Sequence, residues 1–193
     1  ADTRRGRPSV HRAYGEPLAL LAGDGLIVMA FQTLARAGVR HPQRLAALLL
    51  NLAEGVGAPD GIVAGQAWEC EPRVQLGQYQ RAKTGALFVA ATCGGALSAG
   101  ADPRPWRNLG DYLGEAYQVA DDIRDVMGAE GLGKPTGQDA QHHRPSQASD
   151  LGLQGAIEHF RLLMDSAVGS VPNCPNQDML RQLVRAESER LLP

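Results

Sequence analysis

From Thr84 to Ala101 the chain reads TGALFVAATCGGALSAGA, and no residue in that run carries a charge. A helix without a polar side must be covered all round, by lipid or by other helices. The run has the length of a bilayer span, but it is mostly Ala, Gly, Ser and Thr, with few large apolar side chains. It therefore predicts no membrane span but the central helix of a soluble bundle, with small residues that let neighbours approach closely. The flanking sequence supports that reading. Residues 15–38 carry apolar side chains at helical spacing and predict two helices broken near Gly23-Asp24-Gly25. Residues 41–57 open on a proline and close on glycine, the usual polarity of a helix. Further helices are predicted over 59–71, 75–100, 105–128, 151–169 and 176–191, with a Gly-, Pro- and His-rich loop over 129–150. No run of alternating β-branched residues predicts a strand, so the expected fold is all-α and a single domain.

Composition narrows the function. The formal net charge is −2 and aromatics make up only 5% of the 193 residues. Arg4, Arg5 and Arg7 in RRGRP resemble the core of a minor-groove peptide. A nucleic-acid binder, however, draws most of its affinity from a basic excess and stacking aromatics. No nucleic-acid partner is expected. Cys70, Cys93 and Cys174 form neither a disulfide framework nor a CxxC zinc pattern, which predicts a reducing cytoplasm. The polar first residues show no signal peptide.

The segment GEAYQVADDIRDVMG carries the chemistry. Advancing about 100° per residue from Asp121, Gly114, Asp125, Gln118 and Asp122 fall at roughly 20°, 40°, 60° and 100°. Leu113, Ala116, Val119, Ala120, Ile123 and Val126 occupy the opposite arc. Like charges one turn apart destabilise an isolated helix by a few tenths of a kcal/mol. Water can offset that on an exposed face; so can a hard divalent cation, because Mg2+ takes carboxylates together with its own waters and substrate phosphates. Gly114 is expected to leave room beside the carboxylates. Lys83 and Thr84 interrupt the uncharged helix near its start, Lys134 and Arg144 follow the carboxylates, and Arg4 and Arg5 add a guanidinium pair. Each alone reads as an ordinary surface group. Together they suit a diphosphate bridged to carboxylates by Mg2+ and covered by cations.

These motifs resemble the trans-isoprenyl diphosphate synthases. GEAYQVADDIRD is similar to that family's second aspartate-rich motif, and RRGRPSVH, AGDGLIVMAF, GIVAGQAWE, KTGALF and LGKPTGQD follow in the family's order. The similarity covers essentially the whole chain and looks most like bacterial geranylgeranyl diphosphate synthases. It implies a helical bundle of the isoprenoid synthase type that acts as a homodimeric, Mg2+-dependent prenyltransferase. Asp121, Asp122 and Asp125 would hold the metal against an allylic diphosphate. Lys83 and Lys134 would contact that diphosphate, and Arg144 would stand where the family has a second lysine. Thr84 and Gln118 would lie beside the reacting carbons and share the catalytic role with Lys83. Arg4 would lean to the allylic diphosphate and Arg5 to isopentenyl diphosphate. The product would be farnesyl or geranylgeranyl diphosphate.

The family's first aspartate-rich motif, DDxxxxD, normally precedes Arg-Arg-Gly, and here only Asp2 lies upstream of Arg4. Residues 1–193 are thus expected to form the C-terminal portion of such a synthase domain, without its N-terminal helices and first motif. The alternative expectation is a non-catalytic diphosphate-binding or regulatory subunit.

Overall fold

The computed structural model describes residues 2–4, 6–71, 75–127 and 147–191. Arg5, Lys134, Arg144 and most of the predicted 129–150 loop lie outside the described residues.

The chain starts with a small hairpin. Thr3–Arg4 (β1) pairs antiparallel with Arg7–Pro8 (β2), with Arg4 opposite Arg7. Gly6 turns the chain at φ 71°, a left-handed conformation that side chains resist. Helices follow: α1 (Val10–Tyr14), α2 (Glu16–Gly38), α3 (Pro42–Val56) and α4 (Ile62–Ala67). A 3-10 turn, Trp68–Cys70, extends α4. Next come α5 (Leu76–Gln80), a π-helical turn (Arg81–Gly85) and α6 (Ala86–Ala99). Then α7 (Arg107–Met127), α8 (Gln147–Ser170) and α9 (Gln177–Leu191) complete the described bundle. Prolines occupy the first turns of α2 and α3, where no backbone N–H is needed.

Three expectations need correction. Residues 16–38 form one helix, because Gly23 and Gly25 both keep helical geometry. A glycine costs a helix only about 1 kcal/mol, less than a break requires in so long an apolar segment. The one long helix expected over 75–100 is interrupted by the π turn, which leaves the uncharged run an α-helical part, Ala86–Ala99, too short to cross a bilayer. By length and composition the described helix that could do so is α2, with a mean hydropathy of 1.7 in its most apolar window and none of that window buried. Finally, α8 begins at Gln147, inside the predicted loop, and Gly152 kinks it at φ 70°.

The core lies between α7 and α8. Ala116, Val119, Ala120 and Ile123 of α7 are fully buried against Ala156, Phe160 and Ala167 of α8, and Val184 of α9 closes one end. Four of the six aliphatic residues predicted for this face of α7 are thus fully buried, each branched one stabilising the fold by about 1.5–3 kcal/mol. Val126, predicted with them, is 58% exposed.

Helix α6 lies between α3 and α7, and glycines set both contacts. A Cβ on Gly55 would fall 2.6 Å from Ala90 Cβ; one on Gly110 would fall 2.5 Å from Val89 Cα. A Cβ on Gly114 would fall 2.7 Å from Gly85 Cα. Asn51 of α3 adds a hydrogen bond to the Ala90 carbonyl, 2.8 Å. Gly100 ends α6 in the left-handed conformation, with Ala101 N–H donating back to the Ala96 carbonyl at 2.9 Å.

Replacing Gly114 with Ala should lower stability by about 1–3 kcal/mol, because the atom it meets is backbone and cannot rotate aside. Gly23→Ala, where no described atom lies within 4 Å, should instead stabilise by about 0.5–1 kcal/mol. Urea unfolding of both variants measures the contrast.

Candidate active site

The π turn Arg81–Gly85 presents Lys83 and Thr84 beside α7. Such widened turns are frequent at functional sites. Glycines explain how the chain accommodates it: a Cβ on Gly65 of α4 would fall 2.3 Å from Lys83 N, while Gly85 meets Gly114 on the other side. The backbone of the turn is thus held between two elements that approach without side chains.

Thr84 Oγ1 donates to Gln118 Oε1 at 3.2 Å, and Gln118 Nε2 donates to Asp122 Oδ1 at 3.0 Å. Both ends of the amide are used, so its orientation follows from its partners. Asp122 is 2% exposed, and burial of a carboxylate is costly without such donors. The line joins the π turn to the aspartate motif.

Asp121 and Asp125 stand one turn apart on α7, both partly exposed. An Arg124 guanidinium nitrogen lies 3.5 Å from Asp121 Oδ1. The same guanidinium sits 5.8 Å from the centre of the Tyr117 ring, which leans on Phe88 with centroids 5.4 Å apart. Lys83 Nζ donates to Tyr79 Oη at 2.6 Å and lies 5.0 Å from that ring's centre.

The structure therefore joins Thr84, Gln118 and Asp122 by hydrogen bonds, with Lys83 next to Thr84 in the turn and Asp121 and Asp125 on the same helix as Asp122. Arg4 stays on the exposed hairpin, and no hydrogen bond or ion pair among the described residues links it to the carboxylates. Asp2 is taken by Arg12, 3.3 Å away. Gly114 does not leave room for a ligand as expected; Gly85 fills that space. Tyr79, Tyr117 and Arg124 were not picked out by their sequence context. Tyr79 and Lys83 do share the i, i+4 spacing that places side chains together on a helix.

Among the described residues no three Asp, Glu, His or Cys side chains converge as a closed metal cage. The donor set instead offers hard carboxylate oxygens along one face of one helix. That suits Mg2+, which needs only one or two carboxylates when waters and phosphate oxygens complete its octahedron.

A cavity of about 780 Å³ is lined by Ala82, Ala86 and Ala90, with Glu54, Arg81 and Asp111 at its walls. Burial there pushes the Asp111 carboxyl above its ordinary range, Arg107 and Arg81 pull it down, and Glu115 raises it further.

The polyprenyl synthetase family model matches residues 1–183. The geranylgeranyl diphosphate synthase of Cereibacter sphaeroides is 51% identical over 194 residues, covering 100% of this chain and 67% of that protein. The Rhodobacter capsulatus enzyme of the same description is 46% identical, with coverage of 100% and 67%. A geranyltransferase from Helicobacter pylori, solved with magnesium and isoprenyl diphosphate, superposes with a TM-score of 0.82 at 25% identity. That superposition covers 99% of this chain and 66% of the other. The chain thus spans about two thirds of the length of the proteins it matches.

The raised pKa of Asp111 means that its ionised form costs the folded state stability. The cost is present above the raised value and is lost as pH falls through it toward the ordinary carboxylate range. Asp111→Asn should therefore stabilise the protein at neutral pH and lose that advantage in acid; paired urea titrations at the two pH values measure it.

Proposed function

The chain belongs to the polyprenyl synthetase family, and from that premise we propose that it acts as a Mg2+-dependent prenyltransferase. It joins isopentenyl diphosphate head to tail to an allylic diphosphate, giving geranylgeranyl or farnesyl diphosphate. The observation that carries this reading is the line Thr84–Gln118–Asp122, which couples the lysine-bearing turn to the aspartate motif.

Asp121, Asp122 and Asp125 would hold the metal, Asp121 most directly, and through it the allylic diphosphate. Bound there, Mg2+ neutralises charge as the diphosphate departs. Lys83, Lys134 and Arg144 would donate to the remaining diphosphate oxygens, with Arg4 leaning to the allylic group and Arg5 to that of isopentenyl diphosphate. The allylic carbon–oxygen bond breaks heterolytically, leaving its electron pair on diphosphate. The double bond of isopentenyl diphosphate supplies the electrons of the new carbon–carbon bond, and loss of a proton restores a double bond. Thr84 Oγ1 and Gln118 Oε1 set the negative ends of fixed dipoles beside the cationic carbons, and a preorganised dipole needs no rearrangement as charge develops. Phe88, Tyr117 and the small residues of α6 exclude the water that would convert the cation to an alcohol.

The homodimer contact is assigned to α2, where Leu18, Leu21, Leu26 and Met29 are all more than half exposed. The protein works in the cytoplasm, where its three free cysteines stay reduced.

Labelled isopentenyl diphosphate should be incorporated onto farnesyl diphosphate with Mg2+ and not with EDTA. Absence of product together with retained Mg2+-dependent diphosphate binding would identify a binding subunit instead. Asp121→Asn should weaken that binding at least about tenfold, the scale set by losing one charge-assisted contact. Asp111→Asn should leave it nearly unchanged. Equal losses in calorimetric titrations would overturn the assignment of the metal face.

A further inference from the structure

Arg124 sits inside the aspartate motif, and no role above uses it. It is a cation placed among three carboxylates on the helix that is to receive a divalent cation. Its side chain is only 16% exposed, with a guanidinium nitrogen 3.5 Å from Asp121 Oδ1. Its Nε is buried without a hydrogen-bond partner among the described residues. A surface arginine would turn that N–H to water. Here Tyr117 lies 5.8 Å beneath the guanidinium and Phe88 backs Tyr117, so the charge has little freedom to move away from Asp121.

That position has an electrostatic consequence. A metal bound to Asp121 Oδ1 through a bond of about 2.1 Å would lie within roughly 5.5 Å of the guanidinium. Between charges of +2 and +1 at that distance, repulsion even at the dielectric constant of water weakens binding by about tenfold. A metal–diphosphate complex carries net negative charge and meets no such barrier. The guanidinium can also donate to a phosphate oxygen, with the planar fork that suits it.

We propose that Arg124 is a positioning residue that holds Asp121 and disfavours a bare divalent cation, so that metal enters the site together with diphosphate. The proposal rests on the metal reading of the aspartate face given above. It adds that the motif carries its own counter-ion.

Mn2+ binding to the full chain, followed by the electron paramagnetic resonance signal of the free ion, tests this. Without diphosphate, Arg124→Met and Arg124→Gln should bind Mn2+ about tenfold more tightly than the wild type, and Arg124→Lys should stay near the wild type. With saturating Mg2+, inorganic diphosphate should bind the two neutral variants several-fold more weakly. The glutamine variant keeps length and polarity at the site and serves where methionine does not fold. Unchanged or weaker Mn2+ binding in the folded neutral variants overturns the proposal. Asp121→Asn separates the two readings. If it abolishes Mn2+ binding while the Arg124 variants match the wild type, the metal face stands and the counter-ion role falls. If it changes nothing, the metal face itself is wrong.

Discussion

The close backbone contacts around the π turn are the constraint on which the site depends. Gly65, Gly85 and Gly114 let α4, the turn and α7 meet at distances that any side chain would forbid. Only at that separation can Thr84 reach the Gln118 amide, and only then does Gln118 have a fixed direction in which to meet Asp122. Packing here precedes chemistry.

Burial of polar groups follows from that geometry. Asp122 is almost completely removed from water and tolerates it because Gln118 donates to it. Asp111, about three turns earlier on α7, is held near two arginines, and burial still outweighs their pull. The two aspartates show how differently one helix can treat the same side chain. One is tied into the site by a hydrogen bond. The other carries an electrostatic cost beside a cavity that plays no part in the proposed chemistry.

Much of this was legible in the sequence, and the exceptions have physical causes. The aliphatic face of α7 was readable because helical period alone places Ala116, Val119, Ala120 and Ile123 together. The grouping of Lys83, Thr84 and Gln118 with the aspartates followed from motif resemblance; the structure adds hydrogen bonds between Thr84, Gln118 and Asp122. The part Gly114 plays could not be read, since a wheel shows an empty position without showing which neighbour fills it. The continuity of α2 was missed because a pair of glycines resembles a break, while the cost of keeping them helical is small. Tyr117 and Arg124 gave no signal, because stacking between them depends on side-chain direction as well as spacing.

The π turn has a consequence for how this gene can vary. A π turn accommodates one residue more than regular α-helix would, and the surplus falls between α5 and α6. Deleting a single codon in 81–85 would remove that surplus, close the widened turn and shift its residues along the helix. Lys83 and Thr84 could then no longer keep their places beside Tyr79 and Gln118 together. Lys83, Thr84 and Gly85 are themselves held by specific contacts, so this stretch is constrained in length and in residue identity together.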